Sequence, residues 1–261
     1  MKERMGRAIV ISSGKGGVGK TVTAINLAMA LNSLGKNVVI VDSNLTTPNV
    51  ALHLGSPVVP VTLNHVLQGK KHIFKATYTH HSGTKVVPAS LSLEALKNID
   101  PARFNKAIKQ LKNIFEYIII DSAAGLGREA LLPMGALNNE DEILIVTNPN
   151  MPAVTDAMKT IQLAEKLQKK VAGVVITRAR NKKNQELATK NIKALLEKPI
   201  LARIPEDDAV HESIMLRKPV VLTHPKSRAA RSYMRLAAKI ANVEYKENHS
   251  FFEKLFGWLV K

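Results

Sequence analysis

Short apolar, β-branched runs recur along the chain and are separated by segments whose apolar positions repeat every three to four residues. The runs lie at 8–12, 37–42, 85–88, 117–121, 143–147, 171–177 and 199–204, and helix-period segments include 22–34, 101–113, 153–168 and 184–196. The runs are apolar throughout rather than alternating, so both faces of each strand need cover. Strands of that kind interleaved with helices predict an α/β fold: a doubly wound, mostly parallel sheet flanked by helices. Gly35, just past Leu34, supplies a helix stop before the next strand. There is no internal repeat and no Gly/Ser linker. The one break in composition is the polar stretch EYKENH at 244–249. It divides the chain into a body, 1–243, a linker, 244–250, and a segment, 251–261, that reads as a separate helix.

Composition adds exclusions. At 261 residues with 45% hydrophobic content the chain can bury one large core. It contains no cysteine, which excludes a disulfide framework and any Cys-ligated zinc or iron–sulfur centre. The first apolar run is too short for a signal peptide, and no stretch approaches the roughly 18 apolar residues of a membrane span. A cytoplasmic protein is expected. The net charge of +17 predicts attraction to polyanions, either nucleic acid or an anionic bilayer, or else a solvated basic surface.

The chemistry begins at SSGKGGVGKTVT, residues 12–23. Gly14–Thr21 fits G-x-x-x-x-G-K-[ST] between an apolar strand and a helical segment. Glycines let backbone N–H groups curl around phosphate oxygens, and the following helix points its positive end at them. Gly14, Lys15, Gly16, Gly17, Val18, Gly19, Lys20, Thr21 and Val22 are therefore candidate nucleotide contacts. Lys20 would reach the β- and γ-phosphates and Thr21 would ligate Mg²⁺. One lysine suffices for that, and Lys15 is left without a task.

GKGGVGKT, with Lys15 directly after the first glycine, resembles the deviant Walker A motif of the MinD/ParA family of P-loop ATPases. The resemblance implies an ATP-driven homodimer, with ATP and Mg²⁺ as cofactors, in which the second lysine crosses to phosphates held by the other subunit. Other segments are similar to the family's. VVIVD at 38–42, followed by SNLTTPNV, resembles switch I, which implies that Asp42 lies near Mg²⁺ and Asn49 at a dimer contact. YIIIDSAAG at 117–125 resembles Walker B and switch II, which implies Asp121 near the metal and the Gly125 N–H on the γ-phosphate. VVITR and IPED resemble the loops framing adenine, which implies contacts from Thr177, Arg178, Pro205, Glu206 and Asp207. One departure stands out: the family pattern at switch I is Asp-x-Asp, and here it is Asp42-Ser43-Asn44. An amide can orient a water through its carbonyl oxygen but cannot accept its proton. Phosphoryl transfer is largely dissociative, so slow hydrolysis is expected rather than none. Catalytic roles thus fall to Lys15, Asp42 and Asn44, and metal ligation to Thr21, Asp42 and Asp121.

Three of the six phenylalanines and the only tryptophan lie in 251–261. At about 100° per residue, Phe251, Phe252, Leu255, Phe256, Trp258, Leu259 and Val260 share one arc, with the two lysines opposite. Such a helix would lie in a membrane interface, pack on the domain's own core or dock into a partner's groove. FFEKLFGWL resembles the membrane-targeting segment of MinD-like members, which implies reversible attachment to the inner face of the cell membrane. The stretch 159–203 holds twelve basic and three acidic residues, a face suited to anionic lipid or to DNA bound without sequence preference. The expected function is an ATP-dependent, membrane-binding ATPase that positions a division site or polar machinery, with a protein activator or cargo. The alternatives are a DNA-binding partition ATPase and an ATP-binding scaffold that hydrolyses little.

Overall fold

The computed structural model describes residues 5–56, 58–180 and 185–245. The expected helix over 251–261, with Phe251, Phe252, Leu255, Phe256, Trp258 and Leu259, lies outside the described residues. The strands are β1 (Arg7–Ser12), β2 (Val38–Asp42), β3 (Tyr78–Thr79), β4 (Lys85–Val87), β5 (Tyr117–Asp121), β6 (Glu142–Thr147), β7 (Val171–Ala179) and β8 (Ile200–Pro205). They form one sheet in the order β3-β4-β2-β5-β1-β6-β7-β8, parallel except for the β3–β4 pair. The helices are α1 (Lys20–Ser33), α2 (Val50–His53), α3 (Leu63–Leu67), α4 (Pro101–Lys112), α5 (Arg128–Gly135), α6 (Met151–Lys166), α7 (Thr189–Leu196), α8 (Asp208–Met215), α9 (Val220–Thr223) and α10 (Arg228–Ala241).

This is the doubly wound arrangement that the apolar runs require. Successive β1 side chains point into different layers. Ala8 and Val10 pack in a core with Phe104 and Leu111 of α4 and Ile161 of α6. Ile9 and Ile11 pack in a second core with Leu27 and Leu31 of α1 and Leu236 of α10. A strand between two such layers has no polar face, which is why these runs do not alternate.

Three features depart from the periodic reading. The two-residue edge strand β3 is too short to carry a pattern. Of the described part of the expected helix over 184–196, residues 185–188 lie outside α7, which starts at Thr189; there the Glu186 carboxylate accepts from the Arg180 N–H and pairs with Arg203. Helix α10, which none of the expected helix-period segments covers, buries Ala229, Ala230, Ala237 and Ala238 with Ser232, Tyr233 and Leu236.

The architecture fixes where a ligand can go. In a doubly wound sheet the loops at the carboxyl ends of the central strands converge on one crevice. Here those strands are β2, β5 and β1, adjacent in the sheet, and they deliver Asp42, Asp121 and the glycine loop.

Candidate nucleotide site

The glycine loop joins β1 to α1 and passes hard against α6. A Cβ at Gly14 would fall 2.1 Å from the Asp156 carbonyl oxygen, so a side chain there would force the loop outward. Gly19 precedes α1 with φ of 89°, in the left-handed region that favours glycine. Helix α1 has no acidic residue in its first turn and no side-chain cap. Its leading N–H groups are thus left for an anion. Gly16 and Gly17 have no atoms within 4 Å of an added Cβ, so the outer side of the loop is clear for a ligand.

The two lysines have opposite surroundings. Lys20 is 8% exposed, with Nζ 3.5 Å from Asp121 Oδ1. Lys15 is exposed, and no ion pair engages it among the described residues. Its backbone carbonyl accepts from the Ser13 hydroxyl at 2.9 Å, which shapes the loop without holding the side chain.

The β2–β5 register sets Asp42 directly beside Asp121, and both carboxylates have 0% exposure. Asp121 Oδ2 accepts from the Thr21 hydroxyl at 2.6 Å. Asp42 accepts backbone N–H groups of Asn44 at 3.1 Å and of Asn49 and Val50 at 3.0 Å each. Burial, then the neighbouring Asp121, push Asp42 up to about 8, and the three backbone donors only partly offset this. Burial also raises Asp121, opposed chiefly by the Lys20 charge and the Thr21 hydroxyl.

Two buried carboxyls with one ammonium, which lies against Asp121, leave room for more positive charge. The donor set fits Mg²⁺, a hard cation that takes carboxylate and hydroxyl oxygens and keeps several waters. Among the described residues no cluster of three or more His, Cys, Asp and Glu forms a closed metal cage, as suits an ion that shares its shell with phosphate. Thr21, Asp42 and Asp121 would hold it. Bound there, Mg²⁺ would neutralise charge on the β- and γ-phosphates.

A carboxyl held at about 8 keeps its proton in the folded state where the unfolded chain, at 3.8, has lost it. Stability therefore falls as pH rises from about 4 to about 8, by roughly 1.4 kcal/mol per unit for one such group. The metal-free protein should melt at a clearly higher temperature at pH 6 than at pH 8, and Asp121→Asn should flatten that difference. Equal slopes in the two proteins would refute the coupling.

Switch I is closed on itself. Asn44 Nδ2 donates to the Thr47 carbonyl at 2.6 Å, and Asn44 Oδ1 accepts from the Thr47 hydroxyl at 3.1 Å and its N–H at 3.3 Å. Asn49 donates to the same carbonyl at 2.8 Å. Thr46 donates through its N–H and its hydroxyl to the Glu129 carboxylate, at 2.7 and 2.6 Å, tying switch I to the first turn of α5. Sequence reading misses Glu129, because nothing local marks a partner 83 positions away. The Gly125 N–H, expected on the γ-phosphate, donates here to the Ser13 carbonyl at 3.0 Å. A cavity of about 600 Å³, lined by Leu45, Leu131 and Leu132 among others and by none of the glycine-loop residues, lies beside this loop.

The base-side residues converge. Gly19, Val22, Thr177, Arg178, Pro205, Glu206 and Asp207 line one cleft with Val210, Ile214 and Tyr233. Thr177 donates to the Val18 carbonyl at 2.6 Å, locking β7 to the glycine loop, and accepts from Asn148 at 2.9 Å. Arg178 has φ of 53° where the β7–β8 register shifts, and this irregularity exposes it. Asp207 is occupied structurally, accepting from Ala209 N–H of α8 at 3.1 Å and Ala229 N–H of α10 at 3.0 Å. Glu206 Oε2 is buried with no hydrogen-bond partner among the described residues, leaving an acceptor for a ligand N–H. Asn148 and Tyr233 escape sequence reading. The Tyr233 hydroxyl lies 3.3 Å from that of Thr23, and burial pushes the phenol up to about 12.

Comparison with known proteins agrees with this geometry. Residues 4–241 match the family described as ParA, NUBPL iron-transfer P-loop NTPase. This chain has no cysteine with which to ligate an iron–sulfur cluster, so the match carries the nucleotide-binding fold and not that cargo. An uncharacterized ATP-binding protein of Methanocaldococcus jannaschii is 37% identical, over 97% of this chain and 98% of its own. The cell division ATPase MinD of Pyrococcus furiosus superposes with a TM-score of 0.86 at 36% identity, covering 91% of this chain and 99% of that one. MinD of Pyrococcus horikoshii, solved with Mg-ADP, gives 0.85 at 32% identity, covering 90% and 96%. With a buried P-loop lysine, a paired set of strand-end carboxylates and relatives aligned along nearly its whole length, this chain belongs to the ParA/MinD family of P-loop NTPases.

Proposed function

We propose that the chain binds ATP with Mg²⁺, dimerises across the bound nucleotide, hydrolyses it slowly and holds a membrane reversibly through 251–261, so as to position a cellular assembly. The observation that carries this reading is the contrast between the buried Lys20 and Lys15, which is exposed and in no ion pair among the described residues, on one loop. Lys20, Thr21, Asp42 and Asp121 suffice for one nucleotide and its metal. An additional cation at the open rim suits phosphates bound by a facing subunit, and its attraction falls once the γ-phosphate has gone.

Dimerisation gives membrane residence its switch. A segment of eleven residues is a marginal helix in isolation, so one copy should bind weakly. Two copies on one dimer raise avidity by about 10²–10⁴ through effective concentration alone. Co-sedimentation with lipid vesicles should therefore require ATP and be lost in Phe252→Glu or in a chain stopped after Asn248. Equal binding with ADP would remove the switch from the account.

Asn44 limits the chemistry. Its amide is committed to Thr47 on both sides, so it must leave that turn to meet a water. Asn44→Asp replaces the donor to the Thr47 carbonyl with a carboxylate oxygen, which loosens the turn on that side and adds a proton acceptor. Single-turnover hydrolysis should rise by about tenfold or more. An unchanged or lower rate would show that Asn44 is not limiting.

A further inference from the structure

The stretch 63–76, through α3 and the 3₁₀ turn Ile73–Ala76, packs against α4, and neither segment contains an acidic residue. Two contacts fix how they meet. The Arg103 guanidinium of α4 lies over Gly69, where an added Cβ would collide with it. Two turns along α4, the Gln110 amide lies 2.8 Å from His72 Nε2. Arg103, Lys106 and Gln110 share an arc of about 60° on α4, while Lys70 and Lys71 stand between Gly69 and His72. The three lysines therefore line one seam. Lys75 follows in the 3₁₀ turn, and Lys109 lies on the outer face of α4. All five lysines are exposed, and none is in an ion pair among the described residues. Asp100, which caps α4, is taken by Arg103 at 3.3 Å.

Two rings stand among these charges. His72 and Phe74 are both exposed, with ring centroids 4.9 Å apart. His72 Nδ1 accepts from the Phe74 N–H at 3.5 Å while its other nitrogen faces Gln110, so the pair presents a fixed ring surface. Cations beside such a surface match a ligand that carries both phosphates and flat rings free to stack. A lipid headgroup or an acidic peptide brings charge without a base. A duplex keeps its base faces inside the stack.

We propose that the 70–75 turn and the adjoining face of α4 bind single-stranded nucleic acid, with phosphates on the lysines and a base stacked on Phe74. None of these residues takes part in the nucleotide site. The test adds the full chain to a labelled, random-sequence single strand of about twelve nucleotides and reads fluorescence anisotropy across a range of salt. K70Q/K71Q/K106Q should bind at least about tenfold more weakly at low salt, and its slope of log affinity against log salt should be shallower by about 2. Phe74→Ala should lose about tenfold on the single strand and nothing on a duplex, and Phe74→Tyr should bind like the natural chain. All three variants should keep the natural melting temperature and ATP affinity. Undiminished binding by the triple variant overturns the proposal. So does a Phe74→Ala protein that binds the single strand like the natural chain or loses as much on the duplex. No binding of the single strand by the natural chain also overturns it. If phosphatidylglycerol vesicles then bind the natural chain and not the triple variant, the surface belongs to lipid.

Discussion

Lys20→Met should lower nucleotide affinity by about 10²–10³-fold, with the fold retained. The Lys20 ammonium is buried at the base of the glycine loop, within reach of Asp121. Truncating one partner of a buried, hydrogen-bonded charge set costs about 2–5 kcal/mol, because the remaining charges are left uncompensated. Here the loss is felt twice: phosphate loses a direct contact, and Asp121, already raised by burial, loses the cation that opposes that rise. Calorimetric titration should show a loss for both nucleotides and the larger one for ATP, since Lys20 would reach the β-phosphate of either and the γ-phosphate of ATP alone. An affinity within about threefold of the natural chain would mean that the loop binds through its N–H groups alone.

Much of this site is legible in the amino-acid order itself. The strand–loop–helix context of GKGGVGKT places the phosphate loop, and VVIVD and YIIID end on aspartates that the β2–β5 register then sets side by side. Such features are local, or follow from a strand carrying its charge to the carboxyl end of the sheet. What escapes reading depends on contacts between distant segments. Glu129 gains meaning only when α5 meets Thr46, and Asn148 only when β6 lies beside β7. Asp207, which resembles a base contact in IPED, spends both carboxylate oxygens on helix N–H groups. Asn44 looks like a free water-orienting amide in Asp42-Ser43-Asn44, yet it closes a turn.

Lys15→Ala should behave in the opposite way to Lys20→Met: nucleotide binding should persist and assembly should fail. Lys15 is exposed at the rim of the loop and supports no ion pair among the described residues, so its removal leaves the subunit intact. Across a closed interface, an ammonium about 4 Å from phosphate charge is worth up to about 4 kcal/mol at an effective dielectric near 20. That is as much as 10³-fold in the dimer dissociation constant. Membrane attachment and any hydrolysis that needs the dimer should fall with it. ADP, lacking the γ-phosphate, should leave the natural chain in the same state as the variant.

The most direct measurement is sedimentation of the natural chain and of Lys15→Ala with Mg²⁺ and either ATP or ADP, beside a titration confirming that each binds ATP. The account predicts dimers only for the natural chain with ATP, and monomers in the other three conditions. A Lys15→Ala protein that dimerises with ATP as tightly as the natural chain would contradict it.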